Sequence, residues 1–255
     1  MKITFLGTCP CTPVAKRDSS CMLINGEILI DTGWNAVQDM LNYGLDPNKV
    51  NYLFVTHFHQ DHYIGLPQLI FYHAFAGRKK LNGKPLVLAG PRPELRMVYD
   101  RACIFLRCDH DDEMGVGASL LPLGLGQTIE TPDFIVKTAP TMHPVTGLCY
   151  RFEEKASGKS IVVTGDTGYL ESIALHASNA DLLVHDTTCA AAPGGSNTSY
   201  GHSGAPDAAK IAGMANVGRL ALIHYTPSRR VEALEAAKAV FHNSCAPLAG
   251  ETLEL

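Results

Sequence analysis

The sequence predicts an α/β protein, a four-layer αββα sandwich in which two mixed β-sheets pack face to face and helices cover both outer faces. Three observations predict it. Short β-rich runs alternate with helical stretches, twice over along the chain. The 255 residues, 46% of them hydrophobic and 18% charged, can bury roughly 70–75% of the unfolded-chain surface, so a layered core is available. No Ser/Gly/Pro-rich linker or shift of composition marks a boundary, so residues 1–255 are expected to form a single domain.

Each element has its own signal. Strands are expected at 3–6, 21–24 and 28–30, with Asn25-Gly26 as the hairpin turn between the last two, because that dipeptide tolerates positive φ. A helix over about 34–42 stops at Gly44, strand 52–55 follows, and a helix over 66–75 ends before Gly77. Then come strand 86–89, helix 94–106, strands 134–138, 148–152, 161–164 and 182–184, helix 206–215, strand 220–223 and helix 228–241. In such a sandwich the loops after several strands share one edge, and chemistry is expected there.

Composition excludes several classes. No apolar run approaches the eighteen or so residues that span a bilayer, and Met1 to Gly7 reads as a strand rather than a signal peptide, so a cytoplasmic location is expected. The formal charge of −4 argues against nucleic-acid binding through a general basic field. A local basic patch, Arg78-Lys79-Lys80 with Lys84, reads as a solvated loop or a small docking site. Eight cysteines without CxxC pairs read as reduced thiols, mostly buried, rather than a disulfide framework.

The chemistry concentrates in Val55-Thr56-His57-Phe58-His59-Gln60-Asp61-His62. The segment follows an apolar strand, so its His and Asp residues are expected in a loop. In an extended loop alternate residues share a face, which lets His57 and His59 grip one ion while Asp61 and His62 turn toward a second. His143, Asp166 and His224 each stand just after a strand, where a lone residue of that type is also a common core or turn residue. Gly165 lets the backbone turn sharply and bring the Asp166 carboxylate close to a metal.

The pattern His57-x-His59-x-Asp61-His62 after a strand resembles the signature of the metallo-β-lactamase-fold hydrolases. With His143, Asp166 and His224 in order, the resemblance extends through nearly the whole chain. It implies that His57, His59 and His143 hold one divalent metal and Asp61, His62 and His224 another, with Asp166 bridging them. Neutral imidazoles with few thiolates suit zinc, manganese being the other choice. A water shared by two such ions has its pKa lowered from 15.7 toward about 7, and that hydroxide is the implied nucleophile. Asp31, before Thr32-Gly33, resembles a turn of the family that orients the His loop.

A second segment, Tyr200-Gly201-His202-Ser203-Gly204-Ala205, resembles the His-Ser-Thr-Ala segment of ribonuclease Z and its phosphodiesterase relatives. The resemblance makes His202 the acid that protonates the leaving oxygen, held by Asp186, with Asp61 counted among the catalytic groups. The usual acidic residue at the Asp186 position is Glu. Ribonuclease Z carries a long arm for transfer RNA between the positions of His143 and Asp166; here that interval is 23 residues, too short for it. The expected activity is therefore hydrolysis of a small or cyclic phosphodiester, as in the cyclic phosphate phosphodiesterase of the carbon-phosphorus lyase pathway. The alternatives are an RNA 3′-end endonuclease lacking the arm, a lactone, thioester or sulfate hydrolase, or a metal-binding sensor that lost catalysis. Relatives of this kind are commonly homodimers.

The same relative carries a structural zinc on clustered thiols. Cys9, Cys11 and Cys21 lack the tight spacing and a fourth ligand, so burial or redox chemistry is expected of them. The polar run Cys108-Asp109-His110-Asp111-Asp112-Glu113 is expected to be a mobile loop bordering the pocket, and His73, His176, His185 and His242 carry no assignment.

Overall fold

In a computed structural model, residues 1–76, 85–108, 117–194 and 200–255 are described. Two sheets make up the centre. The first pairs strands β1 (Lys2–Cys9), β2 (Asp18–Ser19), β3 (Cys21–Ile24), β4 (Ile28–Ile30), β5 (Tyr52–Phe54), β6 (Leu86–Pro91) and β7 (Ala118–Leu123) with the C-terminal β15 (Thr252–Glu254), in the order β15-β1-β3-β4-β5-β6-β7 with β2 beside β1. The second runs from β14 (Ser244–Cys245) through β13 (Arg219–Ile223), β12 (Leu182–Asp186), β11 (Ser160–Val163), β10 (Leu148–Glu154) and β9 (Phe134–Pro140) to β8 (Thr128–Glu130). Both are mixed. In the first, β1-β3-β4 is antiparallel and β4-β5-β6-β7 parallel. In the second, β8 to β11 is antiparallel and β11 to β14 parallel.

Three apolar layers hold this arrangement together. Ile3, Phe5, Ile30 and Phe54 of the first sheet meet Val136, Tyr150, Val163 and Ile223 of the second, all fully or almost fully buried. Outside the first sheet, α1 (Ala36–Asn42), α3 (Leu66–Phe75) and α4 (Glu94–Leu106) set Val37, Leu69 and Val98 on Leu23, Leu53 and Leu88. Outside the second, α5 (Ser172–His176), α6 (Ala205–Met214) and α7 (Arg230–Lys238) set Ile173, Ile211 and Ala237 on Val162, Leu183 and Leu220. Parallel strands covered on both faces must be apolar throughout, which is why Leu182-Leu183-Val184 and Leu220-Ala221-Leu222-Ile223 read as unbroken runs. The αββα sandwich expected from the alternation of elements is the fold observed. Among the described residues no helix is long and apolar enough to cross a membrane.

Several boundaries differ from expectation for physical reasons. The helix expected from residue 34 begins at Ala36, because the Asp18 carboxylate takes the backbone N–H groups of Trp34 (3.0 Å) and Asn35 (2.7 Å) first. The last helix is preceded by a 3₁₀ turn at Pro227–Arg229 and spans only Arg230–Lys238. Asp61 and His62 do not lie in an extended loop. They sit on a single helical turn, α2 (Gln60–Tyr63), closed by the His62 N–H on the His59 carbonyl at 3.0 Å. The Arg78-Lys79-Lys80 and Lys84 patch, the Gly77 helix stop and positions 109–113 of the Cys108 loop lie outside the described residues.

Candidate metal centre

The carboxyl ends of the strands converge on one edge, where an open sheet leaves a crevice for ligands. His57 and Asp31 follow β5 and β4; Asp166, Asp186 and His224 follow or end β11, β12 and β13; His143 follows β9. The two edges are tied together by a bridge between His57 and Gly147 and by the Leu148 N–H on the Thr56 carbonyl at 2.9 Å.

The seven residues expected to hold metal are brought together in two adjacent groups. In the first, His57, His59, His143 and Asp166 place one donor atom each within 4.8 Å of one another. His59 Nδ1 lies 3.2 Å from His57 Nε2 and 2.9 Å from His143 Nε2. In the second, Asp61, His62 and His224 do the same, with the Asp61 carboxylate 3.4 Å from His62 Nε2 and 3.5 Å from His224 Nε2. Asp166 reaches both groups, 3.7 Å from His57, 3.4 Å from His62 and 3.4 Å from His224.

The ring orientations follow from what holds the opposite nitrogen. Asp31 accepts from His62 Nδ1 (2.7 Å) and from the Thr56 hydroxyl (2.8 Å). That hydroxyl, its proton already committed, accepts from His57 Nδ1 at 3.1 Å. The second sheet repeats the device. The Thr188 hydroxyl donates to Asp186 Oδ1 (2.6 Å) and accepts from His224 Nδ1 (2.7 Å), while Asp186 Oδ2 accepts from His202 Nδ1 at 2.8 Å. His143 Nδ1 donates to the Gly201 carbonyl at 3.0 Å. The Nε2 atoms of His57, His62, His143 and His224 are thereby turned inward, the orientation such partners impose on metal-binding imidazoles.

This donor set fits divalent cations. His62 Nε2 is buried with no hydrogen-bond partner, aimed at a position a cation can take. Burial lowers the pKa of His57, His59 and His143, which keeps their imidazoles neutral. Burial also disfavours the charged forms of Asp166 and His62. It is outweighed by the neighbouring His224 and His62, which hold Asp166 well below the carboxylate range, and by Asp166 and Asp31, which raise His62 well above its ordinary value. A proton on His62 thus balances buried carboxylates, and a cation bound there would displace it.

Asp166, Asp186, His202 and His224 form a further group of close donors. Asp186 is poorly suited to a metal, because both its oxygens are occupied by hydrogen-bond donors. The expected pairing of Asp186 with His202 is present despite the shorter side chain. Thr56, Thr188 and the Gly201 carbonyl escaped the sequence reading; their one signal was adjacency, Thr56 before His57 and Thr188 two residues after Asp186. Cys9 and Cys21 are buried and Cys11 is exposed beside the site, and no metal-competent group among the described residues includes them. His185 is buried, with Nδ1 donating to the Asp186 carbonyl at 2.9 Å, and His73 Nε2 donates to the Pro47 carbonyl at 2.8 Å.

Fold and site together define a metal-dependent hydrolase. Residues 27–225 match the Beta-lactamase superfamily domain. A ribonuclease Z of Methanothermobacter thermautotrophicus is 31% identical over 296 residues, covering 94% of this chain and 92% of that one. Among solved structures, the metallo-β-lactamase fold protein YhfI from Bacillus subtilis superposes with a TM-score of 0.82 (23% identity, 99% and 98% coverage). The short form of human tRNase Z gives 0.78 (20%, 100% and 99%), and a diphosphatase from the PhnP family 0.70 (17%, 100% and 97%). These structures share the fold. The chain belongs to the β-lactamase superfamily and, within it, to the metal-dependent hydrolases related to ribonuclease Z.

Proposed function

We propose that the protein is a dinuclear metal phosphodiesterase acting on a small phosphodiester. The observation that carries this reading is the His202–Asp186 pair, 2.8 Å apart, with His202 Nδ1 3.9 Å from Asp166, in a cavity of about 490 Å³ lined also by His59, Asp61 and His224. Cleaving a P–O bond to an alkoxide needs an acid beside the metal site, and this pair supplies one. His57, His59 and His143 would hold one cation, Asp61, His62 and His224 the other, and Asp166 both. Bound there, divalent cations supply Lewis acidity and lower the pKa of water toward about 7. Nitrogen and oxygen donors without thiolate suit zinc, with manganese second.

The chain's own residues do the rest. Asp186 fixes the His202 ring by its Nδ1, leaving Nε2 to carry the proton delivered to the leaving oxygen. Burial disfavours the charged ring, but the hydrogen bond and charge of Asp186 outweigh it and raise the His202 pKa above its ordinary value. Asp186 thus favours the protonated ring.

Ribonuclease Z activity is the second reading, favoured by the name of the Methanothermobacter relative. Against it, the alignment to that relative is longer than this chain, so the relative holds insertions absent here. Between His143 and Asp166 the chain makes only the β10–β11 hairpin. The test is metal content and hydrolysis of bis(p-nitrophenyl) phosphate and of a pre-transfer RNA, in wild type and His202→Ala, with zinc and with manganese. Diester cleavage with two metals per chain, and loss of alkoxide-releasing turnover at retained metal in His202→Ala, is the expected result. Two metals without diester cleavage would sink the reading, and efficient RNA 3′ cleavage would replace the small substrate.

A further inference from the structure

A second cavity of about 680 Å³ opens beside the first. It runs between α3 and α4 and is lined by Trp34, Phe58, Tyr63, Phe71, Met97 and Phe105 among others, the charged groups among the described residues that line it being Glu94 and Arg101. Its aromatic walls are unusually open to solvent, Phe105 being 78% and Phe71 48% exposed. An exposed apolar patch of this kind marks a binding site.

Two features connect it to the reacting centre. Phe58 and Tyr63 line both cavities, their rings 5.7 Å apart. Its inner wall is also built from residues interleaved with the metal-site residues: Phe58 between His57 and His59, Tyr63 next to His62, and Val145 two residues past His143. Whatever lies in this groove is held at a fixed offset from the site. His202 lines only the polar cavity.

We propose that the groove binds the hydrocarbon or aryl ester group of the substrate that stays on phosphorus, while the departing group faces His202. The proposal rests on the phosphodiesterase reading and narrows it to diesters with one uncharged apolar substituent. The volume is in the range that encloses a drug-sized apolar group.

The experiment uses one leaving group and one variable chain: p-nitrophenyl methyl, butyl and octyl phosphates, assayed on the metal-loaded protein. Burial of each methylene should raise kcat/KM about fourfold. Phe105→Asp and Met97→Asp, exposed positions outside the polar cavity, should flatten that dependence and leave the methyl diester unchanged. Binding is read independently from the fluorescence of Trp34, the single tryptophan, titrated with methyl, butyl and octyl phosphate. A blue shift and an affinity that rises with chain length are expected. Turnover and binding indifferent to chain length would overturn the proposal, showing a groove covered by this chain's own segments or by a second copy. A chain-length dependence that persists in both variants would overturn it too. Chain-length-dependent Trp34 shifts without cleavage of any diester would instead sink the phosphodiesterase reading and keep the groove.

Discussion

Replacing Asp186 by Asn changes one atom and should separate proton donation from metal binding. Two donors converge on Oδ1, the Thr188 N–H at 2.9 Å and its hydroxyl at 2.6 Å. Three converge on Oδ2: His202 Nδ1 at 2.8 Å and the N–H groups of Thr167 at 3.1 Å and Ser203 at 3.4 Å. An amide nitrogen in either position faces donors. The cheaper orientation puts NH₂ toward Thr188, whose hydroxyl can turn round, and leaves one buried N–H unpaired at about 2 kcal/mol. In a chain of this size that lowers Tm by about 4–8 °C. His202 then rests on a neutral carbonyl instead of a carboxylate, and turnover of a diester with an alkoxide leaving group should fall on the order of 10²-fold. The assays are Tm, metal per chain by atomic emission, and kcat on an alkyl and a nitrophenyl diester. Unchanged alkyl turnover would refute the role of the pair. Loss of one metal in step with activity would show Asp186 to be a ligand and refute the reasoning from its hydrogen bonds.

Chelation should destabilise the fold, since a cation bound only by the native state at about 1,000 times its Kd contributes about 4 kcal/mol, worth roughly 10 °C in Tm; an unchanged melting curve after dialysis against a chelator would count against the metal centre. Gly165→Ala should cost about 3 kcal/mol and weaken metal binding, because Gly165 sits at φ 62° and a Cβ there would lie 2.6 Å from Thr56 Cβ and 2.8 Å from its hydroxyl. Gly26→Ala, also at positive φ but with nothing within 4 Å, should cost only about 1 kcal/mol in urea titrations; equal losses would remove the Thr56 contact from the argument. His176→Gln tests pH dependence away from the site. Burial, with Arg151 and Lys137, lowers the His176 pKa to about 4 from an ordinary 6.5. The unfolded chain therefore binds the extra proton first, and stability is lost as pH falls from 6.5 toward 4. The variant should lose less Tm than wild type across that window, and parallel curves would exclude His176 as a source of acid lability.

The elements read most faithfully were those whose signals are local. Strands β3 and β4 with their Asn25-Gly26 turn, and helices α3 and α4, begin and end as expected, because apolar periodicity and chain-reversing residues act within a few positions. The elements missed depend on distant partners. β15 exists by pairing Thr252–Glu254 with β1 at the far end of the chain, and β14 by pairing with β13. β7 contains Pro122 and lies at a sheet edge, the position where a strand tolerates proline and so looks least like a strand in sequence.

The site divides along the same line. The metal donors here are all His or Asp, and four of the seven crowd into six residues, so spacing exposes those four, whereas His143, Asp166 and His224 stand alone and were legible through the family resemblance. Orienting groups are under no such restriction, since any hydroxyl or carbonyl with a committed proton can accept from an imidazole N–H. Thr56 and Thr188 do this in parallel ways, each donating to a buried Asp and accepting from a His, one at the end of each sheet. A threonine beside a His or an Asp is too ordinary a neighbour to be read from one sequence. The open groove was invisible for a related reason: Phe71 and Phe105 continue the apolar pattern of helices whose other faces are buried, and periodicity shows how wide an apolar face is without showing where its cover ends. What hydrophobic pattern cannot reveal is thus the part of the site that would choose among substrates, while what metal chemistry demands of side chains is the part that sequence carries openly.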